Sequence, residues 1–255
     1  MKKKKLARVL AVMTLTMSVL AGCNTETKPD VVDASEVFVE TSTEAVTEDT
    51  TIEETIEETA EVKKEITAVS TPDEVKEFLI KNNAQYVETG KNIGDISAEK
   101  RQDLTDNGQH PYATIITCSD SRVPVEHVFN AGLGEIFTIR SAGNVIGDFE
   151  LGSVEYGAEH LGTPLVVVLG HTNCGAVAAT LEGGATGAIK NITDEIESCL
   201  PEEEVTSTEA EILNVNNSIA RIMESEEMQH LVEEGHVKVV GAIYDITSGE
   251  VTFLE

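Results

Sequence analysis

The segment YATIITCSDSRVP, residues 112–124, joins an apolar run to a short polar turn. A short, nearly continuous apolar run followed by turn residues is typical of a strand that is buried on both faces of a sheet. Directly after it, a thiol, a carboxylate and a guanidinium occur within five residues, as Cys118, Asp120 and Arg122. The sequence therefore predicts a chemically reactive turn at the carboxyl end of a buried strand.

A second motif of this kind follows the apolar run PLVVVLG. The segment LGHTNCGAV places two residues between His171 and Cys174, so both side chains can reach one metal ion from a single turn. In open parallel sheets, ligands bind beyond the carboxyl ends of the strands, so we expect both motifs at one edge. Cys118, His171 and Cys174 offer two thiolates and one imidazole, which suits Zn²⁺ and leaves a fourth position open, as in catalytic sites.

The cysteines also admit another interpretation. If Cys23 carries a lipid, three thiols remain, and three cannot all pair. An exported location would permit a disulfide between Cys118 and Cys174. Cys199 lies in the polar segment ESCLPEEE, and we expect it to be a spare thiol.

The remaining pattern predicts an α/β fold. Four apolar runs, YATIIT, EIFTIR, PLVVVLG and VKVVGAIYDI, read as strands, and DFELGSVEYGAEHLG reads as a helix between the second and third. This alternation predicts a mostly parallel central sheet with helices on both faces. The segment YDITSGEVTFLE predicts an antiparallel hairpin at the sheet edge. TPDE at residues 71–74 predicts a capped N-terminal helical arm, and CGAVAATL predicts a helix that begins at Cys174.

The first residues have the layout of a bacterial lipoprotein precursor. A lysine-rich start and an apolar stretch are typical of a signal peptide, with an uncleaved signal anchor as the alternative. Residues 20–23, LAGC, resemble a lipobox, which implies cleavage before Cys23 and lipid attachment to it. We therefore expect a signal peptide at 1–22 and an extracytoplasmic protein held at the membrane through lipid on Cys23.

Residues 23–68 are rich in Thr and Glu and poor in aromatic residues. Such a composition predicts a disordered acidic tether, with a helix over TIEETIEETAEVKKEI as the alternative. Residues 69–255 are long enough for one catalytic domain. The whole chain has a net charge of −28, from 46 acidic residues against 18 Lys and Arg. This charge disfavours nucleic acid as a partner.

The two motifs together resemble those of the β-class carbonic anhydrases. CSDSR and GHTNCGAV carry the resemblance, and PDEVKEFLIKNNAQYVETG, GLGEIFTIRSAGN and GAIYDITSGEVTFL extend it across the folded domain. The resemblance implies a zinc enzyme for the reversible hydration of carbon dioxide to bicarbonate and a proton. It also implies a homodimer or higher homo-oligomer, in which the N-terminal helices embrace the partner.

The resemblance assigns Asp120 and Arg122 as a catalytic dyad. Two thiolates cancel the charge of zinc, so the metal lowers the pKa of its bound water less than it would in a three-histidine site. A group that orients the zinc-bound hydroxide is then needed. Asp120 would accept the hydrogen, and Arg122 would keep Asp120 ionised. In some members of the family the Asp instead closes onto zinc, and the sequence leaves both states open. Arg140 and Asn144 are expected to be structural.

One departure from the family pattern lies at residues 129–132, where Ala131 occurs beside Asn130 at a position that many members fill with an amide. Two other functions stay open. One is hydrolysis of carbonyl sulfide or carbon disulfide at the same zinc site, and the other is a non-catalytic zinc-stabilised module. The paired Asp120 and Arg122 argue against the second, because a structural zinc needs no orienting carboxylate.

Overall fold

The computed structural model of the chain describes Ile66 and residues 70–255. The predicted signal peptide, Cys23 and the predicted tether lie outside these residues, except that Ile66 packs against the core of the folded domain. Among the described residues, no helix combines the length and the apolar composition that crossing a lipid bilayer requires.

The domain is built on a five-stranded sheet in the order β2-β1-β3-β4-β5. The strands are β1 (Ala113–Cys118), β2 (Ile136–Ser141), β3 (Leu165–His171), β4 (Lys238–Tyr244) and β5 (Val251–Phe253). The first four strands pair in parallel, and β5 pairs antiparallel to β4. The predicted α/β class, the four strands and the antiparallel edge strand are therefore confirmed.

Helices and short turns connect the strands. The regular helices are α1 (Pro72–Thr89), α2 (Ala98–Asn107), α3 (Val125–Val128), α4 (Asp148–Glu155), α5 (Gly175–Glu182), α6 (Ile189–Glu197), α7 (Ser207–Ile222) and α8 (Glu226–Glu233). A tight helical turn, Ala142–Asn144, follows β2, and a wider turn, Tyr156–His160, extends α4. The predicted helix between the second and third strands thus exists, but it widens in its second half.

Alternate residues of the strands pack into two hydrophobic cores, one on each face of the sheet. On one face, Ile115 and Val167 pack with Val75 and Leu79 of α1 and with α3. On the other face, strand residues pack against α4, α7 and α8, in a cluster that includes Ile116, Val166, Val168, Val154, Val215 and Met228. Burial on both faces explains why β1 and β3 are almost entirely apolar.

The ends of the elements follow the predicted local chemistry. Thr71 caps α1, because its hydroxyl accepts from the Glu74 N–H at 3.3 Å while its own N–H donates to Glu74 Oε2 at 2.8 Å. Between β4 and β5, Asp245 Oδ1 accepts from the backbone N–H groups of Thr247 and Ser248. Gly249 completes that turn at φ 83°, a left-handed conformation that glycine adopts without strain.

Candidate metal centre

The centre lies where the strand order reverses. The chain runs from β1 to β2 on one side and then returns to β3 on the other side of β1. Cys118 ends β1 and His171 ends β3, so both side chains lie beyond the carboxyl ends of adjacent parallel strands. This is the place where open α/β sheets bind their ligands, and both motifs reach it as predicted.

Three potential ligand atoms meet there. The sulfurs of Cys118 and Cys174 and a ring nitrogen of His171 all lie within 4.8 Å of one another, and all three residues are buried. Both cysteines are free thiols, so the alternative of a Cys118–Cys174 disulfide is wrong for this structure. Cys199 is also free and lies outside this group, as expected for a spare thiol.

The hydrogen bonding of His171 leaves one nitrogen available. Its Nδ1 lies 2.9 Å from the carbonyl oxygen of Thr172, which accepts the Nδ1–H. In its neutral form the ring then presents a lone pair on Nε2. That atom is buried and has no hydrogen-bond partner in the structure. A buried polar atom without a partner is costly, so the site suits a cation that this lone pair can bind.

The two thiols differ in acidity because they lie side by side. The pKa of Cys118 is held far below its usual range, mainly by the hydrogen bond from the Cys174 thiol and further by His171 and the Gly143 N–H. The pKa of Cys174 is raised well above its usual range, since its proton is shared with the Cys118 thiolate and its surroundings are buried. A divalent metal would replace this proton and accept both sulfurs as thiolates.

Asp120 and Arg122 form the pair that the sequence predicts. Arg122 donates from Nε to Asp120 Oδ1 at 3.0 Å and from Nη2 to Oδ2 at 2.7 Å. The Arg122 guanidinium, through these bonds, holds the pKa of Asp120 well below its usual range, so the carboxylate is ionised at neutral pH. Oδ2 also lies 4.0 Å from His171 Nε2, so the carboxylate borders the ligand group while it stays paired with Arg122.

The turn that carries Asp120 is fixed from β2. Arg140 donates to the carbonyl oxygen of Cys118 at 2.9 and 3.1 Å and to that of Asp120 at 2.6 Å. These bonds go to backbone atoms, as the structural role expected for Arg140 requires. Asn144 adopts a left-handed conformation at φ 48° in the turn after β2.

The amide beside Ala131, that of Asn130, is turned toward α1. The side-chain amide of Asn130 donates to the carbonyl oxygen of Asn82 at 3.1 Å and to Gln85 Oε1 at 3.2 Å. Asn82 and Gln85 belong to α1, on the face of the sheet that α1 covers. Asn130 therefore joins this segment to α1.

More than half of the chain matches a known protein family. The family model described as carbonic anhydrase matches residues 113–251. This chain belongs to the carbonic anhydrase family. A carbonic anhydrase from Mycolicibacterium smegmatis is 34% identical over 194 residues, which cover 71% of this chain and 93% of the relative. Carbonic anhydrase 2 from Mycobacterium tuberculosis is 36% identical over 152 residues, 56% of this chain and 73% of that relative.

Solved structures place this carbonic anhydrase in the β class. The Coccomyxa β-carbonic anhydrase, determined in complex with acetazolamide, superposes with a TM-score of 0.55 at 25% identity, over 69% of this chain and 84% of that one. One of two tetrameric β-carbonic anhydrases from Sordaria macrospora gives a TM-score of 0.54 at 23% identity, over 68% of this chain and 97% of its own. The second likeness supports the fold alone.

The sequence analysis does not predict the groups that hydrogen-bond to the two cysteines of the centre. Glu211, on α7, accepts from the Cys174 N–H at 3.1 Å through Oε1, and Gly143 donates its N–H to Cys118 Sγ at 3.3 Å. The sequence analysis predicts no element within residues 189–233, where the structure has α6, α7 and α8. A signal was present, because Glu211 interrupts the apolar side of an otherwise amphipathic helix.

Proposed function

We propose that this protein is a zinc-dependent carbonic anhydrase that catalyses the reversible hydration of carbon dioxide to bicarbonate and a proton. One observation carries the proposal: a buried group of two thiols and one imidazole lies beside an ionised carboxylate that an arginine holds in place. The chain's membership of the carbonic anhydrase family supports the same reaction.

The donor set fits zinc. Cys118 and Cys174 supply sulfur, His171 supplies Nε2, and three protein ligands with a free fourth position are typical of catalytic zinc. The Thr172 carbonyl accepts the Nδ1–H of His171 and so fixes the tautomer of the ring. Imidazoles that bind a metal usually donate their other N–H in this way. A zinc ion held there supplies a Lewis acid that activates water for attack on carbon dioxide.

The protein's own residues orient this reaction. Asp120 remains ionised because Arg122 pairs with both of its oxygens. Its carboxylate accepts a hydrogen from the attacking water and turns an oxygen lone pair toward the carbon of carbon dioxide. The water oxygen bonds to the carbon while the electrons of one C=O π bond move to oxygen. The hydrogen that Asp120 does not accept leaves as a proton for the solvent, which gives bicarbonate. Arg122 also holds Asp120 away from the ligand group, which keeps the fourth position accessible.

We also propose that the catalytic domain works outside the cytoplasm, tethered by residues 23–68 to a lipid on Cys23. The lipobox-like LAGC and the apolar stretch before it support this location. A homo-oligomer is the assembly we propose, since one Sordaria macrospora relative of the same fold is described as tetrameric.

The decisive experiment is a stopped-flow measurement of carbon dioxide hydration by the purified full chain, with zinc content determined on the same sample. We expect about one zinc per chain and hydration that zinc chelation abolishes. Turnover of carbonyl sulfide and carbon disulfide should be measured in parallel. A zinc-loaded protein that hydrolyses these sulfur compounds but does not hydrate carbon dioxide would contradict the proposed substrate.

A further inference from the structure

Helix α7 carries an unusual buried polar stripe. Glu211, Asn214 and Ser218 are spaced so that they share one face of the helix, and they are only 4%, 1% and 2% exposed. Polar side chains are costly to bury unless they are hydrogen-bonded. Each of the three therefore needs a partner, and the partners are the loops of the metal centre.

Glu211 holds the loop of the second cysteine. Its Oε1 accepts from the backbone N–H of Cys174 at 3.1 Å. Cys174 is the N-cap of α5, but its side chain makes no capping hydrogen bond. In a capping box, an acid at the third helical position binds the N–H of the N-cap residue. Here that position is occupied by the buried Val177, so Glu211 supplies the missing carboxylate from another helix.

Asn214 and Ser218 hold the turn that contacts the first cysteine. Asn214 Nδ2 donates to the carbonyl oxygen of Gly143 at 2.7 Å, and Ser218 Oγ donates to that of Asn144 at 2.9 Å. Gly143 in turn donates its N–H to Cys118 Sγ at 3.3 Å.

The turn has little freedom to move. Gly143 has a φ of 68°, and a Cβ built there would lie 3.0 Å from both Ala176 Cβ and Ile196 Cδ1. The position of the turn is therefore set by close packing on one side and by α7 on the other. Its N–H points to the Cys118 sulfur only while this arrangement is kept.

We propose that α7 is a positioning element of the metal centre. Glu211 fixes the backbone of Cys174. Asn214 fixes Gly143, whose N–H donates to the Cys118 sulfur. The inference rests on the proposed zinc site but not on the identity of the substrate. The side chains of Glu211 and Asn214 form their hydrogen bonds with backbone atoms of Cys174 and Gly143. They therefore act on the ligands through the backbone.

The test compares zinc affinity across variants of the full chain by competition with a chromophoric chelator. Glu211→Ala should weaken zinc binding by about 10- to 100-fold, the usual loss when a group that orients a metal ligand is removed. Glu211→Gln keeps an acceptor oxygen, so its affinity should lie closer to wild type than to Glu211→Ala. Asn214→Ala should also weaken binding, whereas Asn216→Ala, an exposed amide on the same helix, should not.

A spectroscopic readout separates positioning from general destabilisation. Cobalt(II) in place of zinc reports thiolate ligation through its visible and near-ultraviolet absorption. We expect altered spectra in Asn214→Ala and Glu211→Ala, and wild-type spectra in Asn216→Ala. If circular dichroism shows that Glu211→Ala does not fold, Glu211→Gln and the two asparagine variants decide the question.

Two results would overturn the inference. One is wild-type zinc affinity with an unchanged cobalt spectrum in folded Asn214→Ala and Glu211→Ala. The other is a loss in Glu211→Gln equal to that in Glu211→Ala, which would assign the effect to charge rather than to the acceptor bond. Wild-type protein that binds zinc but does not hydrate carbon dioxide would instead contradict the proposed function and leave the role of α7 intact.

Discussion

Arg122 links Asp120 to the loop between two of the proposed ligands. Its Nη2 donates to Asp120 Oδ2 at 2.7 Å and also to the carbonyl oxygen of Asn173 at 3.1 Å. Asn173 lies between His171 and Cys174, in a left-handed conformation at φ 55°. The guanidinium therefore holds the carboxylate and the ligand loop in one arrangement.

Asp120→Asn keeps the shape of the side chain but removes the charge that Arg122 binds. We expect zinc to remain bound and hydration of carbon dioxide to fall by about 10- to 1000-fold, the span typical of losing one positioned proton-handling or charge-stabilising group. Stopped-flow rates on samples of known zinc content give the measurement. Arg122→Ala should be similarly harmful, because Asp120 loses its partner.

A matched control for this change is Asp106→Asn, an exposed aspartate on α2. It should have wild-type turnover. Near-normal turnover in zinc-loaded Asp120→Asn would show that the carboxylate does not orient the reaction.

His171→Ala removes the nitrogen ligand and should lose both zinc and turnover, since two sulfurs alone form an incomplete site. Elemental analysis after dialysis against a weak chelator gives the zinc content. His160→Ala, which changes an imidazole that is mostly exposed, should retain both. Full zinc occupancy in His171→Ala would mean that the ligand set is wrong.

Cys199→Ser tests whether the third thiol is dispensable. The Cys199 sulfur lies 3.0 Å from the carbonyl oxygen of Ile196, a contact that a serine hydroxyl can also make. We expect unchanged zinc content and turnover, whereas Cys174→Ser should lose zinc. A drop in zinc content in Cys199→Ser would place this thiol at the metal, against its position in the fold.

The cap of α7 makes stability depend on pH in a defined direction. The backbone N–H and the hydroxyl of Thr206 both donate to the Glu209 carboxylate. These bonds, the backbone one most of all, lower the pKa of that carboxyl below its usual value of 4.5. Because the pKa of Glu209 is lower in the folded state, the charged cap stabilises the fold at pH values above the usual 4.5. This stabilisation is lost as the pH falls through the lowered pKa of the folded state.

Glu209→Ala should therefore lower the melting temperature at pH 7, and its difference from wild type should shrink as the pH falls below the usual glutamate value of 4.5 and through the lowered pKa of the folded state. Thermal unfolding by circular dichroism at several pH values gives the measurement. Glu233→Ala, an exposed glutamate at the end of α8, should show no such difference. A difference for Glu209→Ala that stays constant with pH would contradict the charged cap.

Cys23→Ser tests the proposed anchor. We expect the variant to lack the acyl label and to be misprocessed or retained by an uncleaved signal, because serine cannot accept the thioether-linked lipid. Membrane fractionation and metabolic labelling with an acyl probe give the measurement. Labelling and fractionation equal to wild type would exclude lipid attachment at this residue.

The sequence by itself determined the sheet and predicted the three potential metal ligands that the structure brings together. Continuous apolar runs identify β1 and β3, because a strand covered on both faces has no polar side. The spacing of His171 and Cys174, and the position of Cys118 after a strand, indicate one metal site because parallel strands end at a common edge. Asp120 and Arg122 are two residues apart, so the sequence already places their side chains within reach of each other.

Only the tertiary structure decided how this site is supported. Glu211 binds the backbone of Cys174 across 37 positions of sequence, and Asn214 binds Gly143 across 71. No local pattern specifies such contacts, since a polar residue on the buried side of a helix shows that a partner exists but not which one. The structure also decided that Cys118 and Cys174 are free thiols in one group with His171, because β1 pairs with β3 and so brings the ends of these two strands together.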